Sequence, residues 1–414
     1  MRTIKQYIKN NQFLFSTLKH GLLYVRYAKS LIQKDTYTNI NSIEAEEQFE
    51  IKEKKYHCFF GYYDKSPINE TNEYIAFLRV KDGSKSKDNV DICIMYIPTK
   101  ETTVIGHTTT WNWQQGCMLQ WVDKYVLSFN DYNDESKLYV TLWMNIKEKI
   151  IVGQFSRAAY SYNKDHTKFL SLNFYRLDLY AKGYGYPYLT DDMATEMDGI
   201  WENHLQSGKI KMLATLKQVM EHEPKNYFDY QHYINHVAYT PDEQSIIFIH
   251  RWQRKGGEFI SRLLSYNLIS GQLHTILDNG HVSHYCWEDN DTLLIYATDR
   301  NNQKGYMEVN IRTMMTHIFD GLVTEDGHPS FSNDHHWILT DTYPNWKRYQ
   351  HLFLFDNTKK ELKVLDKLWS PFRYYNDERC DLHPRWSMDS NYICADNTQS
   401  GYRSIRVYKI PSVC

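Results

Sequence analysis

Short apolar runs separated by polar turns recur along most of the chain at nearly constant spacing. The clearest unit is Asp381-Leu-His-Pro-Arg-Trp-Ser-Met-Asp389, followed by the apolar run Tyr392-Ile-Cys-Ala-Asp396. Matching positions recur 55 residues earlier, in Gly327-His-Pro-Ser-Phe-Ser-Asn-Asp334 followed by Trp337-Ile-Leu-Thr-Asp341. Each predicts one strand, a polar turn and a second strand. Five more units precede them. His284-Tyr-Cys-Trp-Glu288 leads to Leu293–Ala297, and His236-Val-Ala-Tyr-Thr240 to Ile246–His250. Arg157-Ala-Ala-Tyr-Ser161 leads to Phe169–Asn173, Met118-Leu-Gln-Trp121 to Tyr125–Phe129, and Lys65-Ser-Pro-Ile-Asn69 to Tyr74–Leu78. Seven units at a period of roughly 40 to 55 residues predict an all-β, seven-bladed β-propeller.

The blades are expected from Gly61, Trp111, Arg157, His236, His284, His328 and His383 onward. The third is broken by a Tyr-rich insertion, residues 174–198, which carries Tyr184, Tyr186 and Tyr188 and then Asp191, Asp192, Glu196 and Asp198. An insertion this long in a compact fold, and this aromatic, reads as functional rather than disordered. A short helix is expected within 213–228. The last blade shows three strands, and 48–53 is the candidate for its fourth, which would close the ring and leave no open edge.

Composition adds little until the charge is placed. Net charge is −2, which excludes nucleic-acid binding by overall charge. Residues 1–34 nevertheless hold seven of the 48 basic residues (Arg2, Lys5, Lys9, Lys19, Arg26, Lys29, Lys34) and none of the 50 acidic ones. Apolar residues there (Ile4, Ile8, Leu14, Leu18, Leu22, Val25) follow a helical period. The organisation expected is therefore a basic amphipathic helical extension and linker, 1–40, on a propeller, 41–414. The helix either packs on the rim or makes a peripheral contact with anionic lipid. Seven cysteines, the last at Cys414, are scattered without paired spacing, and no export signal stands out. The expectation is a reduced, cytoplasmic protein, peripheral at the inner membrane face if residues 1–34 touch lipid.

The repeat places candidate chemistry. First-strand openers surround one channel mouth, and here they are Lys65, Met118, Arg157, His236, His284, His328 and His383. The second-strand ends return to the same face with Arg79, Asn130, Asn173, His250, Asp299, Asp341 and Asp396. Convergent polar groups in a concavity make a site hypothesis. The structural alternative is that each histidine, as in Gly327-His328, only braces its own blade.

The last four blades resemble the oligogalacturonate lyase family, a seven-bladed propeller with a divalent metal in its channel. That family's His-x-x-Trp is matched by His284-Tyr-Cys-Trp287. Its Gln-x-x-His-x-His-Pro is matched by Glu378-Arg-Cys-Asp381-Leu-His383-Pro, with Glu378 and Asp381 replacing two ligands. The resemblance implies a manganese-type site at His284, His383, Asp381 and Glu378. It also implies a base at His250, with His236 second and Arg157 or Arg251 assisting. Lys65, Arg79, Arg176, Tyr184, Tyr186, Tyr188, His328 and Asp341 are the residues expected to bind substrate. Gly-Tyr-Tyr-Asp-Lys-Ser-Pro67, Trp-Asn-Trp-Gln-Gln-Gly116 and Leu-Thr-Asp-Thr-Tyr-Pro344 resemble stretches of propellers encoded among polysaccharide-assembly genes.

The implied activity is β-elimination on an acidic, uronate-containing oligo- or polysaccharide. The rival expectation is a non-catalytic glycan- or protein-binding module in polysaccharide assembly.

Overall fold

The computed structural model describes residues 12–33, 36–189, 193–223, 230–253 and 259–410, the side chains of 12–20 and 377 excepted. Lys5, Lys9, Lys34, Asp191, Asp192 and Cys414 lie outside the described residues. Helix α1 (Gln12–Ser30) and strand β1 (Glu47–Ile51) precede seven four-stranded antiparallel sheets.

The first blade is β2 (Tyr56–Phe59), β3 (Tyr74–Lys81), β4 (Val90–Tyr96) and β5 (Glu101–Thr108). The second is β6 (Gln120–Asp123), β7 (Val126–Asn133), β8 (Leu138–Asn145) and β9 (Ile150–Ser156). The third is β10 (Ser161–Tyr162), β11 (Lys168–Ser171), β12 (Gly199–His204) and β13 (Ile210–Thr215), with helix α2 (Phe174–Tyr180) in its insertion and helix α3 (Leu216–Glu221) after it. Blade four is β14 (Gln231–Tyr239), β15 (Ser245–Gln253), β16 (Phe259–Asn267) and β17 (Leu273–Leu277). Blade five is β18 (Val282–Trp287), β19 (Thr292–Thr298), β20 (Lys304–Asn310) and β21 (Thr316–Ile318). Blade six is β22 (Ser330–Phe331), β23 (Trp337–Asp341), β24 (Tyr349–Asp356) and β25 (Glu361–Trp369). Blade seven is β26 (Arg385–Trp386), β27 (Tyr392–Asn397) and β28 (Ser404–Lys409), with β1 as its outer strand.

The β1–β28 pairing runs from Glu47 opposite Lys409 to Ile51 opposite Ile405. It joins the two ends of the propeller and covers the last sheet edge.

The second strands are packed on both faces between neighbouring blades, so they read as continuous apolar runs. Ile246–Ile249, Leu293–Ile295 and Ile338–Leu339 are all fully buried. The polar turns before them share one device. Ser332, Ser387 and Thr240 each donate a side-chain hydroxyl to the Asp two residues on, at 2.6, 2.6 and 2.7 Å. The same hydroxyls accept the backbone N–H that opens the next strand, from Trp337, Tyr392 and Ser245. A left-handed residue, His335, Ser390 or Glu243, completes each turn. This explains why Ser or Thr and Asp recur in the sequence repeat.

The first blade departs from expectation. Its inner strand is β2, upstream of Gly61, and the segment Phe60–Pro67 leaves the sheet, which it rejoins only at the Ile68–Ile75 bridge. Backbone contact with the second blade supports this excursion. Gly61 has φ +135° and Gly116 φ +59°. A Cβ on Gly61 would meet the Gln115 backbone at 2.7 Å, and one on Gly116 the Phe60 carbonyl at 2.6 Å. Only glycine permits this approach.

Candidate functional site

The four histidine openers meet. Ring centroids are 5.4 Å apart for His236–His284, 4.2 Å for His284–His328 and 4.3 Å for His328–His383. All four are buried. The first strands of blades four and five bulge there: pairing shifts between Asn235 and Ala238, and between Val282 and Tyr285. His236 and His383 adopt positive φ, 51° and 41°. Non-glycine residues held this way are costly and concentrate at functional sites.

The other side of the ring is filled by the Phe60–Pro67 excursion. The Tyr62 ring lies 5.0 Å from His383, 5.4 Å from His236, 6.3 Å from His284 and 6.4 Å from His328. Its hydroxyl is 3.0 Å from His236 Nε2. The Tyr63 hydroxyl donates to the Tyr285 carbonyl at 2.9 Å and accepts the Tyr285 N–H at 3.1 Å. Tyr62 and Tyr63 thus plug the channel at the level of the histidines. Neither is a repeat position, and the sequence reading missed both as site residues. The adjacent Gly-Tyr-Tyr was the available signal.

Beyond the plug, along the first strands, lies a cavity of about 580 Å³, lined by Lys65, Tyr160, His236, Trp287, Phe331 and Trp386 among others. Lys65 is buried there and bonds Asp64 at 2.7 Å.

The protonation of the ring follows from its partners. His383 Nδ1 is 2.9 Å from the Gly61 carbonyl, which can only accept, so Nδ1 carries the proton. His328 Nδ1 donates to the Asp341 carboxylate at 2.8 Å. The Nε2 atoms of both are buried without a hydrogen-bond partner. His284 Nδ1 donates to Asp326 at 3.2 Å, and Asp326 also accepts from Ser283 at 2.7 Å. Burial, reinforced by neighbouring cationic groups, pushes His236 and His383 well below the usual imidazole range and lowers His284. Burial also works against His328⁺, but Asp341, Asp381 and Asp326 outweigh it and raise that group.

Asp381 lies against this ring. One ligand atom from each of His328, Asp381 and His383 falls within 4.8 Å of the others. Burial would raise the Asp381 carboxyl, but Arg379 overrides it, bonding both oxygens at 2.5 and 2.7 Å. With Nδ1 of both imidazoles pinned to oxygen, the His383 Nε2 lone pair, the His328 Nε2 once it gives up the proton its carboxylate neighbours favour, and the Asp381 carboxylate fit a first-row divalent cation. His284 braces this trio, its ring tilted against His328. Glu378 stands exposed at the end of a short 3₁₀ turn, outside the trio. The four-residue set expected from the sequence is therefore not what the structure brings together, since His328 occupies a place assigned to Glu378 and His284.

The mouth above the ring is lined by half-buried groups. Tyr184 approaches Tyr62 edge-on at 6.3 Å. Arg379 lies over the Tyr343 ring at 4.7 Å, and Tyr343 meets His328 at 5.7 Å. Arg251, whose Nε has no hydrogen-bond partner, faces Tyr233, Tyr62, Tyr184 and Asp326. The three motifs noted last in the sequence converge here. Gly61 accepts from His383 and from Arg385, Gln114 donates to the Arg379 carbonyl at 2.8 Å, and Thr-Asp-Thr-Tyr supplies Asp341 and Tyr343.

Several expected site residues are placed elsewhere. His250 bonds His232 at 3.0 Å and accepts from Arg262 at 3.2 Å inside the fold, because side chains alternate along β15 and Arg251 takes the mouth side. Arg157 covers the Trp201 ring at 3.6 Å. Arg79 pairs with Asp91 and Glu53. Arg176 anchors the insertion through Asp198 and the Met193 carbonyl. Tyr186 is buried against Phe174 at 4.4 Å, and Tyr188 stacks on Tyr132 at 4.0 Å. Asp341 orients His328 from behind.

Known structures share this architecture. The chain is similar to an oligogalacturonate lyase from Vibrio parahaemolyticus, with a TM-score of 0.63 and 10% identity over 90% of this chain and 97% of that one. It is similar to an oligogalacturonate lyase in complex with manganese, with a TM-score of 0.65 and 12% identity over 90% and 96%. At such identity the likeness shows the propeller fold alone. No family model and no curated protein sequence matches the chain.

Proposed function

We propose that this propeller is a lyase-like enzyme acting on an acidic, uronate-containing saccharide, with a divalent cation held by His328, Asp381 and His383. The observation that carries this reading is the pair of buried, partnerless Nε2 atoms beside a carboxylate. A bound cation supplies Lewis-acid neutralisation of the uronate carboxylate, which acidifies the neighbouring C–H.

The chain's own groups account for the remainder. Arg251 and Arg379 flank the mouth and orient the carboxylate as paired donors. Burial holds His236 neutral, and with the proton on its Nδ1 its Nε2 accepts from the Tyr62 hydroxyl 3.0 Å away. The Tyr62 oxygen takes the C5 proton as its own proton passes to His236. The C5–H electron pair becomes the C4=C5 double bond, and the C4–O bond breaks with its pair going to the leaving oxygen. Tyr184 protonates that oxygen and regains a proton from water, to which His236 returns one. Tyr62 thus removes the proton, and His236, the second choice for the base, receives it through Tyr62 in place of His250.

A second reading, a binding module without turnover, draws on one specific feature: both Asp381 oxygens are already held by Arg379. Elemental analysis of the purified protein, combined with ultraviolet absorbance of the unsaturated uronate product, tests the proposal. A stoichiometric divalent metal and growing absorbance are expected. Metal-free protein that binds acidic oligosaccharides without absorbance change supports the module instead.

A further inference from the structure

Helix α1 lies on the mouth face of the propeller. Tyr24 and Tyr27 pack on Phe372 at 4.5 and 5.1 Å, Arg26 covers Trp346 at 4.5 Å, and Lys347 donates to the Gln33 carbonyl at 2.6 Å. Phe372 belongs to the link that continues to Arg379 and Asp381, and Trp346 to the loop that carries Tyr343. Arg348 ties the two together, donating to Ser370, Pro371 and Tyr374. The helix therefore sits on the segments that form the mouth.

Over its described side chains, residues 21–30, α1 packs through one side. Leu23 and Ser30 are buried and Tyr27 is half-buried, at spacings of four and three. The opposite side, at 22, 25, 29 and 32, carries Leu22 (54% exposed), Val25 (55%), Lys29 and, just past the helix end, Ile32 (90%). Leu31 and Trp346 beside it are also half exposed or more, at 58% and 50%. Apolar side chains at helical spacing, standing free among basic residues, match an interfacial helix. Charge selects the surface: residues 1–34 hold seven basic residues and no acidic one, while the rest of the chain has 41 basic against 50 acidic. No helix among the described residues is long and apolar enough to cross a membrane.

We propose that α1 seats the protein on an anionic lipid surface, with Leu22, Val25 and Ile32 in the acyl boundary and Lys29 on the headgroups. Because α1 rests on the mouth segments, this holds the histidine ring toward the lipid plane, where an acidic saccharide at the membrane surface would reach it. The inference does not depend on the chemistry at the ring.

Co-sedimentation of the full chain with phosphatidylcholine vesicles, with and without phosphatidylglycerol, tests it. Binding is expected only with phosphatidylglycerol, and it should weaken as salt is raised. Lys29→Gln should weaken it about fivefold, the loss of one surface cation. The double variant Val25→Glu/Ile32→Glu should abolish it with an unchanged unfolding midpoint. A blue shift of tryptophan fluorescence on binding should disappear in Trp346→Phe. Absence of binding, equal binding to both vesicle types, or a dimer in solution that the double variant dissociates would each overturn the proposal. A blue shift that persists in Trp346→Phe would overturn the orientation.

Discussion

Blades four to seven and blades one to three repeat one four-stranded plan, yet they contribute differently to the channel. In the later blades every opener is a histidine, and all four rings meet around one point. In the earlier blades the equivalent residues diverge. Met118 enters the core, Arg157 lies on Trp201, and Lys65 faces the deeper cavity. Their side of the ring is occupied by Tyr62, delivered by a loop. The shared plan sets where a blade stands; the side chain and its local partners decide whether a residue reaches the centre.

If the histidine half holds a cation, His383→Ala has the largest effect. Cation affinity should fall by more than the roughly 100-fold typical of losing an outer-shell partner, and turnover with it. Metal content and elimination rate check both, and an unchanged metal content breaks the comparison. Tyr62→Phe separates the two halves. Metal content should stay while the elimination rate falls about 10²–10⁴-fold, the range for one proton-transfer group. Asp341→Asn weakens the support behind His328 and should cost about 10–100-fold in metal affinity. Isothermal titration with manganese measures that loss.

A smaller effect appears in pH dependence. Burial, with Arg262 and His232 beside it, holds His250 well below its ordinary pKa. The unfolded chain takes up that proton near pH 6.5, whereas the folded chain does not. Stability therefore climbs with pH below about 6.5 and is level above, by up to about 1.4 kcal/mol per pH unit from this one group. Melting curves between pH 5 and 7, on wild type and His250→Gln, should show the slope shrink in the variant. The smallest effect belongs to the other half. Arg157→Ala should cost only about 0.5–1 kcal/mol, the loss of a cation–π contact, with metal content and rate unchanged. A rate loss there would place Arg157 in the site after all.

The chain by itself determined the ring of blades, because Ser or Thr, Asp and an apolar run recur wherever a turn must feed a buried second strand. It also determined that His236, His284, His328 and His383 share one depth, since equal position in equal strands is a matter of register. Tertiary structure alone decided the rest. Tyr62 reaches the ring because Gly61 and Gly116 let two backbones touch, a contact between loops 55 residues apart with no periodic trace. Arg251 and not His250 faces the mouth because alternation along β15 puts successive side chains on opposite faces. Glu378 stays at the surface because its 3₁₀ turn ends before the strand register begins, and its neighbour Arg379 is the one that meets Asp381. Each outcome rests on partners distant in sequence, which a local pattern does not encode.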